Sequence, residues 1–221
     1  MTLQLAPEEP EAGPWRVEPL TKLVQVITQQ GPGQHASGRP LIVAIDGRSN
    51  SGKTTLAGRI GAAVAGAVVI HTDEIAWMHS RFGWDDLLID GILAPLHQGH
   101  AVRYRPPRWI EHGREGSIDV PAACPLVIIE GDGSGRREVK DMIDVLIWVQ
   151  SDEREGERRV LNRIGKPDEI PTMLAHREWM AEEIPFNADQ RTWERADIFV
   201  CGSPEMLCDP VTDVVVAPAL S

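Results

Sequence analysis

The segment IDGRSNSGKTT, Ile45 to Thr55, constrains this chain more than any other. It fits G-x-x-x-x-G-K-[ST] with Gly47, Gly52, Lys53 and Thr54. LIVAI ahead of it is a β-branched run of buried-strand type, and Thr54 to Val64 behind it can wind as a helix. A strand feeding a glycine-rich turn into a helix N-terminus points successive backbone N–H groups inward, with the helix dipole behind them. The segment therefore reads as a phosphate site built from Gly47, Arg48, Ser49, Asn50, Ser51, Gly52, Lys53, Thr54 and Thr55. Lys53 is the group for the β/γ-phosphates, and the Thr54 hydroxyl is the group for Mg²⁺. The competing reading is an ordinary glycine-rich turn.

Five short apolar runs continue the pattern: Leu41 to Asp46, Ala67 to Thr72, Leu126 to Glu130, Val145 to Gln150 and Ala196 to Cys201. They lack hydrophobic/polar alternation, as parallel strands covered on both faces do, and segments of helical character separate most of them. The expectation is an α/β fold, a doubly wound five-stranded parallel sheet flanked by helices, in a single domain over 15–221. Residues 1–14 read as a disordered acidic, proline-rich tail. Trp15 to Gln30 has helical spacing and ends at Gly31-Pro32-Gly33. The interval 74–124 breaks the β-α alternation and carries Trp77, Phe82, Trp84, Tyr104 and Trp109, which marks it as the place for a ligand pocket.

Composition removes several functions. With 22 Lys and Arg against 33 Asp and Glu the net charge is −11, and no basic run offers a nucleic-acid footprint. Cys124, Cys201 and Cys208 lack metal-ligand spacing and read as thiols of a reducing compartment. No apolar stretch is long enough to span a bilayer and the N-terminus lacks signal-peptide features, so the expected location is cytoplasmic, with no membrane partner. A homo-oligomer is left open.

Read in order, the chain resembles the uridine kinase family of P-loop kinases, whose neighbours include phosphoribulokinase and bacterial pantothenate kinase. The resemblance covers roughly Pro40 to Gly202. It rests on the glycine-rich loop, HTDEIAW with Asp73, FGWDDLLIDGILAPLHQGHAV, the His112 and Arg114 pair, LVIIEG with Glu130, ERRVLNR with Arg158 and Arg159, and ADIFVCG. It implies ATP and Mg²⁺ as cofactors and transfer of the γ-phosphoryl to a hydroxyl of a small molecule. The acceptor is then a nucleoside or related polyhydroxylated compound; a non-nucleoside alcohol such as a sugar, cyclitol or pantothenate-like acid is the alternative, as is a non-catalytic ATP-binding sensor.

By the same resemblance, Asp73 accepts the proton of the acceptor hydroxyl and lies near Mg²⁺, and Glu130 is the Walker-B-type carboxylate, with Thr54 the third metal residue. The plainer readings are a helix N-cap for Asp73 and a strand-end salt bridge for Glu130. The stretch 151–190 corresponds to the lid and the helix after it, with Arg158 and Arg159 on the transferring phosphoryl. Interleaved Glu153, Glu155 and Glu157 offer a solvated face instead. Asn162 stands where the family has its later Arg, and Arg163 is displaced by one position.

For the acceptor, the resemblance points to Asp85 and Asp86 on ribose hydroxyls and to His112 and Arg114. Pro107 and Arg108 replace a Tyr-Asp pair, and Trp109 stands for Phe. Trp84, Tyr104 and Trp109 are candidates for stacking, and Tyr104, Arg105 and Arg108 for a polar wall. A signalling GTPase is disfavoured. Asp132 to Gly135 fits Asp-x-x-Gly as a glycine-rich turn, and Gly165 to Asp168 lacks the Asn that guanine recognition needs.

Overall fold

The computed structural model describes residues 3–6, 8–30, 38–163 and 173–220. The glycine-rich breaker at Gly31 and the Gly165 to Asp168 segment lie outside them. A seven-stranded sheet forms the centre, in the order β1-β9-β8-β7-β2-β6-β3. Its parallel part is β2 (Leu41–Gly47), β3 (Val68–His71), β6 (Leu126–Glu130), β7 (Val145–Gln150) and β8 (Ile198–Cys201). These are the five apolar runs. Every residue of β2, β6 and β7 is buried, which is why none of the three alternates.

Two antiparallel strands extend the expected five. β9 (Asp213–Pro218) pairs with β8, and β1 (Arg16–Pro19) pairs with β9. The helix expected from Trp15 therefore starts later, as α1 (Leu20–Gln30), with Leu23 and Ile27 turned into the core. Pro19 closes β1, at the sheet edge where a strand proline is tolerated.

The tail reading also needs correction. Residues 3–6 and 8–14 form no helix or strand apart from a turn at Glu8, yet Leu3, Glu9 and Ala12 are buried. The Glu9 carboxylate accepts hydrogen bonds from Trp148 Nε1 (2.7 Å) and Gln150 Nε2 (3.0 Å). Composition alone signalled a segment unable to form its own core; here it borrows the sheet's core.

Helix α2 (Lys53–Ala63) follows β2, and the four-residue α3 (Thr72–Ile75) follows β3. The interval 74–124 folds into short pieces: α4 (Asp85–Leu88), a π-helical turn (Ile89–Leu93), α5 (Ala94–His97), α6 (Pro107–Glu111) and the hairpin of β4 (Val102–Tyr104) with β5 (Ile118–Val120). Trp84, Leu88, Ile92, Trp109 and Val120 close its core against Ile70 and Ile129 of the sheet. Helices α7 (Glu153–Arg163) and α8 (Met173–Gln190) lie between β7 and β8 along the chain.

Candidate active site

β2 lies between β6 and β7; the connection leaving β2 runs to β3 on the β6 side, while the one leaving β6 runs to β7 on the other. Open α/β sheets form their crevice at such a point, beyond the carboxyl ends of the strands. A cleft of 1080 Å³ opens there, lined by Ser49, Asn50, Gly52 to Thr55, Asp73, Glu130 and Asp132, while Ser51 is buried. Gly47 turns the chain out of β2 at φ 146°, and a Cβ there would stand 2.5 Å from the Val149 carbonyl oxygen. Gly52 precedes α2 without a side-chain cap, so the first-turn N–H groups have no competing side chain.

Lys53 is 6% exposed. Its Nζ donates to the Arg48 carbonyl (2.8 Å) and to Asp132 Oδ1 (2.5 Å), while Ser49 Oγ donates to Asp132 Oδ2 (2.8 Å). Burial works against the ammonium, but Asp132, Glu183 and Asp46 more than offset it, so its pKa is raised. Thr54 Oγ1 donates to Glu130 Oε1 (2.9 Å), and the other Glu130 oxygen meets His71 Nδ1 at 2.5 Å. Asp73 lines the same cleft. Partial desolvation first, then the negative charges of Asp132 and Glu130, raise its pKa against the opposing pull of Lys53.

The donors at Thr54, Glu130 and Asp73 are all oxygen, which suits a hard cation. Among the described residues no three His, Cys, Asp or Glu side chains are arranged to hold a metal by themselves. Mg²⁺ takes few protein ligands and fills its shell with phosphate oxygens and water.

The lid arginines separate. Arg159 Nη1 donates to the Asn50 carbonyl (2.8 Å) and Nη2 to the Gly202 carbonyl (2.7 Å), and Arg159 lines the cleft. Arg158 turns to solvent, 69% exposed, paired with Glu155 at 2.5 Å. The Arg163 side chain lies outside the described residues. Arg48 does not face the cleft; it is buried against Glu153 (2.9 Å).

None of the residues expected to grip the acceptor lines this cleft. Trp84 and Trp109 are buried, with their indole N–H groups bonded to the carbonyls of Arg81 and Glu74. Asp85 accepts from Arg136, Asp86 is exposed, and Arg108 pairs with Glu111. Tyr104 packs beside Gly91, and Arg105 donates to the Arg114 carbonyl. Arg114 lies 3.7 Å over the Trp109 ring, and His112 meets the edge of Trp77. Trp77, Trp84, Tyr104 and Trp109 thus serve that segment's own core, while Phe82 packs on Phe186 and Trp179 of α8. The side of the cleft near Asp73 is instead walled by Ala76, His79, Arg81, His176 and Trp179.

Sequence reasoning passed over four residues of the centre. Asp132, set aside as part of a glycine-rich turn, pairs with Lys53. Asp46, buried at the end of β2, accepts from the N–H groups of Gly47, Gly133 and Gly135, yet burial lifts its pKa to about 6. A charged residue closing an apolar strand was its visible signal. His71 sits against Glu130. Glu183, on α8, accepts from the Ser49 N–H at 2.5 Å, and no local pattern joins positions so far apart.

No family model matches the chain, and no curated protein does. Among solved structures it is similar to a Silicibacter sp. TM1040 protein described as a "putative fructose transport system kinase", with 20% identity over 80% of this chain and 94% of that one, at a TM-score of 0.51. It is also similar to a Bacillus stearothermophilus protein described as a "possible uridine kinase", with 19% identity over 81% of this chain and 96% of that one, at a TM-score of 0.48. At such identity the first likeness speaks for the fold, and this chain has the P-loop kinase fold that its motifs implied.

Proposed function

We propose that this protein is an ATP-dependent small-molecule kinase. The observation that carries the reading is the convergence of Lys53, Thr54, Asp73 and Glu130 on one cleft at the carboxyl ends of the parallel strands. Phosphoryl transfer asks for that set: a cation on the phosphates, oxygen ligands for a metal, and a carboxylate beside the acceptor hydroxyl. Bound Mg²⁺ supplies neutralisation of the β- and γ-phosphate charge. Lys53 exchanges Asp132 for the phosphates, and Arg159 approaches from α7. As the acceptor oxygen bonds to the γ-phosphorus, the bond from that phosphorus to ADP breaks and the hydroxyl proton passes to Asp73. The raised pKa of Asp73 brings it closer to the operating pH of a general base.

For the acceptor, the wall formed by His79, Arg81, His176 and Trp179 favours a polyhydroxylated compound bound differently from a nucleoside in uridine kinases, because His112, Arg114 and Trp109 lie away from the cleft. ADP formation with Mg·ATP across uridine, cytidine, sugars, cyclitols and pantothenate tests the reading. Turnover with at least one of them, lost in Lys53→Ala, is expected. ATP hydrolysis that no alcohol alters would leave an ATPase or sensor and remove the kinase assignment.

A further inference from the structure

Glu183 is fully buried and belongs to α8, yet its Oε1 takes the backbone N–H of Ser49 in the phosphate loop at 2.5 Å, while its Oε2 is buried without a hydrogen-bond partner. A buried carboxylate with one orphaned oxygen is costly in its charged form and tolerable as an acid. We propose that Glu183 is a proton-coupled positioning residue, serving as an internal anion beside the phosphate loop and converting in place to the neutral acid when a nucleoside triphosphate binds. This rests on the proposed nucleotide site.

The charges around it explain the coupling. Lys53 from α2 and Arg48 from the loop after β2 favour the carboxylate, whereas Asp132 from the loop after β6 opposes it. On α8 itself, the neighbouring Glu182 turns outward to Arg81. Burial first, then Asp132, already brings the Glu183 pKa to about 7. Nucleotide binding draws Lys53 to the phosphates and adds their negative charge, and both changes push in the same direction. One proton passes from solvent to Glu183, the Ser49 contact is kept, and α8 stays latched. Trp179 lies one helical turn before Glu183, so the latch also holds the cleft wall that faces Asp73.

The test is calorimetry of the non-hydrolysable analogue Mg·AMP-PNP at about pH 8, one unit above that pKa, in two buffers of different ionisation enthalpy. Wild type should take up about one proton per analogue bound. Glu183→Gln should take up almost none and bind roughly tenfold more tightly at this pH, with the pH dependence of affinity flattened. As a second readout needing no variant, difference infrared spectra of wild type should gain a protonated-carboxyl band on analogue addition. Binding without proton uptake, uptake unchanged in Glu183→Gln, or no such band overturns the proposal while leaving the nucleotide site intact. Absence of binding in wild type removes the nucleotide site and the proposal with it.

Discussion

Lys53 keeps its charge where burial opposes it, because carboxylates on three separate elements face it: Asp132, Glu183 and Asp46. Its removal should therefore do more than delete a phosphate ligand. Lys53→Ala is expected to abolish turnover and to weaken Mg·ATP by at least about tenfold, read by calorimetry; equal affinity and turnover would sink the phosphate-site assignment. The two candidate catalytic carboxylates should behave differently from each other. Asp73→Asn should keep nucleotide affinity and lose turnover by about 10²-fold or more, as for loss of a general base. Glu130→Gln should raise the Mg²⁺ concentration needed for half-maximal rate. Near wild-type turnover in Asp73→Asn would place the base elsewhere.

The buried carboxylates also set a stability profile. Asp46 rises from 3.8 to about 6 and Glu183 from 4.5 to about 7, so between these limits the folded chain holds protons that the unfolded chain has released. That stabilisation is complete below the ordinary values and is lost as pH rises through the folded ones. The urea midpoint should accordingly fall from about pH 5 to about pH 7.5, and Glu183→Gln should shrink the fall. A midpoint that climbs across this window would contradict the burial of both groups.

Among the elements, α7 divides its arginines by one residue. Arg158 and Arg159 are adjacent, so their side chains point about 100° apart on the helix. One meets the loop carbonyls of Asn50 and Gly202; the other meets solvent. Arg159→Ala should lower turnover markedly, whereas Arg158→Ala should stay near wild type; the reverse ranking in steady-state kinetics would show that α7 closes in another register. The exit of β8 is equally constrained, because a Cβ on Gly202 would run into the backbone carbonyl of Ser51. Backbone cannot yield as a side-chain tip can, so Gly202→Ala should destabilise by about 1–3 kcal/mol and weaken ATP binding together. Thermal melts with and without Mg·ATP would reveal an unstrained contact as an unchanged midpoint and an unchanged nucleotide shift.

Across the whole molecule, the parallel core was legible because burial on both faces writes itself as uninterrupted apolar runs, and Leu126–Glu130 and Val145–Gln150 occur as expected. The phosphate loop was legible because its chemistry is local: one turn, one lysine and one hydroxyl at set offsets. The antiparallel strands β1 and β9 were not. Short strands of this kind take their stability from a neighbour, and DVVVAP and RVEP show nothing by themselves that names that neighbour. The tryptophans and Tyr104 of 74–124 had a composition equally suited to a ligand pocket or a local core, and packing decided for the core. Glu183 and Asp132 belong to the same class of question. What the amino-acid order determined was which residues could bind phosphate and which strands could be buried, since both depend on neighbours along the chain. Which carboxylates meet Lys53, and which wall faces Asp73, was decided only in three dimensions, because electrostatics and packing act through space between residues that the sequence keeps far apart.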